Sequence, residues 1–559
     1  MLHNAHVDPS ELDADDLVLR TEGWAAGVYL AALAFQEGRD AHSAAALRGD
    51  DRYVAEYLRS EHLAHLAPRQ REFLRRTSAL ERMSGPLCDA VLERSGSARE
   101  LVSIERANLF IVPLDGHGEW YRYQQQFRDL LQRELAERDP GMIATLNRRA
   151  ADWLEANGKP EEALHHAFAS GSPERAARIL TTIVMPAYNN GRVAEVEGWL
   201  ARFDDDELLE RLPAVALHGS RVHALRGRRA EAEHWLGAVE RRLARSTRAR
   251  NTSVVAAAAA VIRAWLARGD DLEQMRADAE FAIAKLPRTN QWQPLALLIR
   301  AVAVFLACDE GADAAFGEAA HAAARMGKSE ALVLAMTERV LLAAERGDTA
   351  AADQLANSTE QIVQKHGIEE YAGNALRMAV SARAHLRAGR WHHARADLDA
   401  AQRLLPQLEA LPWLAAQTRL ELARAHLATR ESVDAETLLA EAESLLRNRS
   451  GFDALTRECA LLRAEVQTVG HGHDGRSSGL TDAELRLLPL LATHLSFREI
   501  GERLFVSRNT IKTQAISVYR KLRVSNRSDA VEQSAALGLV PGLRASTSGA
   551  DGTILEAAP

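Results

Sequence analysis

The chain has 559 residues, a formal net charge of −8 at pH 7 and three cysteines. That length exceeds what one compact core holds, so several domains are expected, and the acidic balance excludes a protein that coats nucleic acid along its whole surface. Cys88, Cys308 and Cys459 are odd in number and far apart, which excludes a disulfide framework or CxxC metal site and suits a reducing cytoplasm. No apolar run approaches the roughly 18 residues of a membrane span, and the start MLHNAHVDPSELDADD has no basic-then-apolar leader. A cytoplasmic protein without membrane attachment is expected. Ala and Leu dominate while Pro and aromatic residues are sparse, the composition of an all-α chain.

Residues 1–140 do not begin as a domain should. Leu17 to Leu19 run into RTEGWAAGVYLAALAF, an apolar helix whose partner the short acidic lead cannot supply. DRYVAEYLRSEHLAHLAPRQREFLRRTSAL follows as two amphipathic helices. Leu109 to Leu114 is an apolar, β-branched run, Asp115 to Gly118 a turn, and Trp120, Tyr121 and Tyr123 a second short strand before a helix. Helices followed by a small hairpin predict a winged helix. On Glu22, Gly23, Trp24, Gly27, Leu109, Phe110, Pro113, Leu114, Asp115, Trp120, Tyr121, Arg122, Tyr123 and Phe127 this segment resembles the ATPase module of MalT-like regulators. These are the large LuxR-type proteins of the signal-transduction NTPase class, and the resemblance lies in the region after the nucleotide-binding core.

That resemblance implies a Walker A loop, whose Gly-rich backbone and Lys hold nucleotide phosphates. The sequence contains no GxxxxGK[ST]; the nearest string, Gly327-Lys328-Ser329, has Ala322 where the first Gly belongs. Residues 1–140 are therefore expected to be the remnant of an NTPase module, and the protein a non-enzyme without a cofactor. The alternative expectation is that the chain is the C-terminal part of an ATP-dependent regulator whose Walker A region lies upstream of Met1. The family also commonly has His after YRY, where this chain has Gln124, Gln125 and Gln126. The run marks either a module released from nucleotide contact or ordinary drift of surface residues.

Residues 141–467 form a long helical array. Gly227, Gly269, Gly311, Gly347 and Gly389 each follow an Ala- or Leu-rich helix, at separations of roughly 42, 42, 36 and 42 residues, a helix-pair repeat period. Gly ends one helix in a left-handed cap and Ala lets the pair approach closely. Stacking supplies the core that single pairs lack, so a tetratricopeptide-like solenoid is predicted. Trp199, Trp235, Trp265, Trp292, Trp391 and Trp413 are candidates for stacking on an effector, which the MalT resemblance implies here, although a Trp at a helix contact is more often core. The pairs His165-His166 and His392-His393 have no third ligand in register and read as helix positions without metal.

TVGHGHDGRSSG, residues 468–479, is a Gly- and Ser-bearing linker, with His471, His473 and Asp474 as weak metal candidates. Residues 480–540 carry the most specific pattern. Thr481 with Glu484, Ser496 with Glu499, Ser507 with Thr510, and Asn526 with Asp529 place four helix starts. Leu504 to Val506 form a tight apolar turn between the second and third helices, the layout of a helix-turn-helix. In the third, Ile511, Ala515, Val518 and Leu522 share one stripe, while Asn509, Lys512, Thr513, Ile516 and Arg520 lie on the other. This segment has nine Lys or Arg against six Asp or Glu, a balance of +3 that leaves −11 on the remainder. Leu480, Thr481, Glu484, Ser496, Glu499, Ile500, Ser507, Thr510, Ile511, Lys512, Lys521, Leu522, Val524 and Arg527 resemble the DNA-binding domain of LuxR-type (GerE/NarL-like) regulators. Gln514 replaces that family's usual His.

These readings predict a sequence-specific, double-stranded-DNA-binding transcription regulator. Lys512, Thr513 and Ile516 would read base edges. Ser507, Arg508, Asn509, Thr510, Arg520 and Lys521 would hold phosphates. The helix from about Asn526 would pair two copies as a homodimer, and the solenoid would receive a small-molecule or protein effector. Residues 541–559 are expected to be a disordered tail. A repeat scaffold whose tail has lost DNA binding is the third reading.

Overall fold

Helices dominate the described chain, their starts marked by Pro or polar caps and many of their ends by residues in the left-handed conformation. The structure, a computed structural model, describes residues 52–536 apart from 108–109, 246–252, 269–270, 430–431 and 472–479. The apolar helix expected after Leu19, with Glu22, Gly23, Trp24 and Gly27, lies outside the described residues, as do Leu109, Gly269, His473, Asp474 and the tail 541–559. Two compact units divide between Ile183 and Val184.

In the first unit α1 (Arg52–Tyr57) passes into a π-helical stretch (Leu58–Leu63), followed by α2 (Pro68–Thr77), β1 (Met83–Ser84), α3 (Gly85–Leu92) and α4 (Ser97–Arg106). The hairpin β2 (Ile111–Pro113) and β3 (Trp120–Tyr123) comes next, then α5 (Gln125–Arg138), α6 (Pro140–Ala156) and α7 (Pro160–Ala169). The unit boundary falls within α8 (Pro173–Asn189). The sheet order is β1-β3-β2, all antiparallel, with Met83 opposite Tyr121 and Ile111 opposite Tyr123. Asp115 closes the hairpin turn by accepting the backbone N–H groups of His117, Glu119 and Trp120 at 3.1, 3.0 and 2.8 Å.

The hairpin is the one expected, whereas β1 is two residues long and too short to carry an alternation signal. Gln124 and Gln126 are 8% and 3% exposed, so surface drift does not describe them. The first unit reaches beyond residue 140 because Leu146, Ala150 and Leu154 of α6 are buried and that helix packs against α3 and α5.

The second unit holds the array: α9 (Val193–Ala201), α10 (Asp206–Arg211), α11 (Pro213–Leu225), α12 (Arg229–Ala244), α13 (Val254–Trp265), α14 (Leu272–Lys285), α15 (Gln293–Leu306), α16 (Ala312–Arg325), α17 (Ser329–Glu345) and α18 (Thr349–His366). It continues through α19 (Asn374–Arg387), α20 (Trp391–Leu404), a 3-10 turn (Leu405–Leu408), α21 (Pro412–Ala428), α22 (Ser432–Leu446) and α23 (Asp453–His471). Helix α23 thus includes the first four residues of the expected linker. The repeat is more regular than its glycines suggest. In the turns of the pairs α11–α12, α13–α14, α15–α16, α17–α18 and α19–α20 left-handed residues stand at 227, 267, 308, 347 and 389, steps of 40, 41, 39 and 42, while Gly327 and Gly367 take the same conformation between pairs. Ala267 and Cys308 take this conformation without being Gly, while Gly311 has φ −74° and precedes α16.

The array winds through a full turn and meets itself about 180 residues on. Arg229 Nη1 donates to Ala410 O at 3.4 Å, Arg449 Nη1 to Ala267 O at 3.0 Å, and Leu272 N to Ser450 O at 3.3 Å. A Cβ on Gly227 would stand 2.5 Å from Pro406 O, so the closure needs a glycine there. The interior is filled. Helices α11, α15 and α21 are buried around most of their circumference, and buried polar pairs run through it, among them Arg221 with Glu330 at 3.0 Å and Gln417 with Glu338 at 2.9 Å. Trp235, Trp265, Trp292 and Trp413 are buried, which leaves only Trp199 and Trp391 of the six candidates partly exposed. His166 is buried beside Asn147 Oδ1 at 2.7 Å, and no group of His, Cys, Asp or Glu could hold a metal among the described residues.

Candidate nucleic-acid interface

Four helices follow at the end of the second unit: α24 (Asp482–Leu491), α25 (Phe497–Arg503), α26 (Arg508–Leu522) and α27 (Arg527–Ala536). All four caps form. Thr481 Oγ1 accepts from Glu484 N at 3.4 Å and Glu484 Oε2 from Thr481 N at 2.6 Å; Ser496 and Glu499 repeat the exchange at 3.3 and 2.7 Å. Ser507 Oγ accepts from Thr510 N at 3.1 Å, and Asn526 Oδ1 from Asp529 N at 2.9 Å. Each cap satisfies N–H groups that the helix cannot pair internally.

The core of this domain joins Leu487, Leu488 and Leu491 of α24, Ile500 of α25 and Ala530 of α27 to Ile511, Ala515, Val518 and Leu522, the stripe expected on α26. Between α25 and α26 the chain turns sharply at Phe505, whose φ is +57°. Gly501 permits this turn, since a Cβ there would lie 2.7 Å from Val506 O. The turn sets α26 across α25 with its other face outward. Ser507, Arg508, Asn509, Thr510, Lys512, Thr513, Ile516 and Arg520 are all exposed, Ile516 at 56%. Thr513 Oγ1 donates to Asn509 O at 2.9 Å, which spends the hydroxyl on the helix and leaves the methyl as its apolar group. Gln514 lies off this face, in a shallow cleft with Phe505, Arg486 and Thr429.

Lys521 departs from the phosphate-contact set. Its Nζ pairs with Glu484 Oε2 at 2.6 Å, and the Glu484 side chain is only 6% exposed. Burial opposes the Glu484 charge, but the Lys521 ammonium, the Thr481 N–H and the Ser517 and Thr481 hydroxyls outweigh it and hold the carboxyl down to about 2. Lys521 therefore ties α26 to the start of α24. Arg527 is a second internal tie, its guanidinium donating to Leu491 O, Leu495 O, Leu490 O and Thr493 O at 2.8, 2.7, 3.2 and 2.6 Å and closing the carbonyl end of α24. Neither tie is visible in the sequence, because the partners stand more than 30 positions apart and no local periodicity links them.

A third feature had no signal in the sequence. The Arg503 guanidinium lies over the Trp391 ring at 4.4 Å, and that of Arg395 over the Phe505 ring at 5.3 Å. These two Arg–aromatic contacts seat α20 of the array on α25 and its turn.

Comparisons with known proteins match residues 59–143 to the MalT winged helix domain and residues 478–533 to bacterial regulatory proteins of the luxR family. Over 169 residues the chain is 36% identical to serine/threonine-protein kinase PknK of Mycobacterium tuberculosis, covering 30% of this chain and 15% of the kinase. Over 214 residues it is 30% identical to the HTH-type transcriptional regulator MalT of Klebsiella pneumoniae, covering 37% of this chain and 24% of that protein. The chain thus spans about a quarter or less of the curated relatives it matches. The solved structure of a Signal Transduction ATPase with Numerous Domains (STAND) protein with a tetratricopeptide repeat sensor from Pyrococcus horikoshii is similar at TM-score 0.46 and 13% identity, over 79% of this chain and 72% of that one. The C-terminal domain is thus of the LuxR helix-turn-helix type, and the segment before the array matches the winged helix domain of MalT. In these two regions the chain resembles MalT-like regulators of the LuxR type.

Proposed function

We propose that this protein binds double-stranded DNA sequence-specifically and regulates transcription, with α26 as the recognition helix. One observation carries the reading: Asn509, Lys512, Thr513, Ile516 and Arg520 are exposed on one side of α26 while the opposite stripe lies in the core. Lys512 meets guanine edges, and the Thr513 methyl and Ile516 meet thymine methyls. Ser507, Arg508, Asn509, Thr510 and Arg520 hold the phosphates on either side. Helix α27 pairs two copies into a homodimer on half-sites about one helical turn apart. The array receives a small-molecule or protein effector, the protein acts in the cytoplasm, and it does its work without catalysis.

Selection of bound duplex from a random library, followed by titration of the selected site, tests this. Lys512→Ala should abolish discrimination between the selected site and random duplex while leaving thermal unfolding within about 0.5 kcal/mol of wild type, as for other exposed substitutions. Undiminished selectivity would place the reading face elsewhere.

A further inference from the structure

We propose that the DNA-contacting surface continues from the helix-turn-helix onto the array, where Arg387 and Arg390 in the α19–α20 turn hold the phosphate backbone beside the site read by α26. The inference rests on the DNA-binding reading above.

Position comes from the two Arg–aromatic contacts. Trp391, the first residue of α20, sits under Arg503 at 4.4 Å, and Arg395, one turn on, sits over Phe505 at 5.3 Å. Arg503 ends α25, Phe505 is the middle of the turn, and Ser507 caps α26. In a helix-turn-helix the first helix crosses the phosphate backbone and the N-terminal residues of the second reach the bases. The α19–α20 turn is thereby tied to the end of α25, the helix that crosses the backbone in this motif.

Charge matches the occupant. Arg387, Arg390, His392 and His393 are exposed. Of the acids around them, Asp399 is 3.1 Å from Arg395, and Asp397 lies mostly inside, 3.0 Å from His385. On the facing helix Glu499 accepts the Ser496 N–H at 2.7 Å, and Glu502 pairs with Arg498 at 3.2 Å. Arg387 and Arg390 are the surplus cations of this patch, on a chain whose net charge is −8. A polyanion running past α25 is the partner that such a surface fits.

The test uses the full chain and a duplex selected by it from a random library, long enough to extend past the footprint on both sides. Affinity is measured against salt concentration. Arg387→Ala with Arg390→Ala should weaken binding about tenfold and flatten the log–log salt slope by about 1.8, two contacts at roughly 0.9 each, with base preference unchanged. Arg387→Lys with Arg390→Lys, which keeps both charges, should retain the slope. Affinity and slope equal to wild type in the Ala pair would overturn the inference, as would tighter binding, which would make the docked array an obstacle to DNA. Wild-type protein that selects no duplex would instead overturn the DNA-binding reading, and this inference with it.

Discussion

Replacing Lys521 by Met separates an architectural lysine from a phosphate contact. Met keeps the apolar stem and removes only the charge that faces Glu484 across 2.6 Å. The carboxyl sits at about 2 against an ordinary value of 4.5; a gap of that size is worth about 3 kcal/mol of interaction with the charged form, at 1.36 kcal/mol per unit. Lys521 is the foremost of the groups that lower the carboxyl, and the lower part of the range for a hydrogen bond to a charged group gives about 1.5–2 kcal/mol for the ammonium. Because the folded value is depressed, this stability is fully present above pH 4.5 and drains away as pH falls toward 2. The gap between wild type and variant should therefore shrink over that window. Amide hydrogen exchange along α24 in the full chain reads the local opening without assuming two-state unfolding. At pH 7 exchange there should speed up by about 10- to 30-fold, the rate equivalent of that loss. Unchanged exchange, with DNA affinity lowered and a salt slope flattened by about 0.9, would show Lys521 to be a phosphate contact and would refute the structural assignment.

Arg527→Lys keeps the charge but cannot reproduce a fork that reaches four carbonyls. A loss of about 1.5–3 kcal/mol is expected, seen as faster exchange at the end of α24. Gly227→Ala and Gly347→Ala form a matched pair, with φ of +71° and +77°. Both carry the left-handed penalty of about 1–2 kcal/mol, but only at Gly227 would the new Cβ meet a backbone oxygen, Pro406 O at 2.5 Å. Thermal unfolding should therefore fall further for Gly227→Ala, and equal losses would argue against closure of the array on itself.

Local signals were legible wherever a short stretch of sequence decides the outcome. Thr481 with Glu484 and Ser496 with Glu499 announce their helices because capping is a contest among neighbouring groups for the same N–H donors. The Ile511, Ala515, Val518 and Leu522 stripe needs only the helical period, and it is the buried face. Glycine was a less faithful marker. The left-handed turn before α16 belongs to Cys308 at φ +58° and not to Gly311, because packing of the helix pairs imposes the conformation whichever residue occupies the position.

For this chain, one-dimensional information was sufficient for an all-α architecture, the period of its repeat to within a few residues, and which face of α26 is buried and which exposed. Tertiary structure alone decided that four of the six candidate tryptophans fill the core of a closed superhelix, that Lys521 is engaged by Glu484, and that Trp391 and Arg395 seat the array against Arg503 and Phe505. The reason is range. Caps and periods are settled within one or two helical turns, whereas ion pairs, ring contacts and the meeting of Arg229 with Ala410 join residues that only the path of the whole chain brings together.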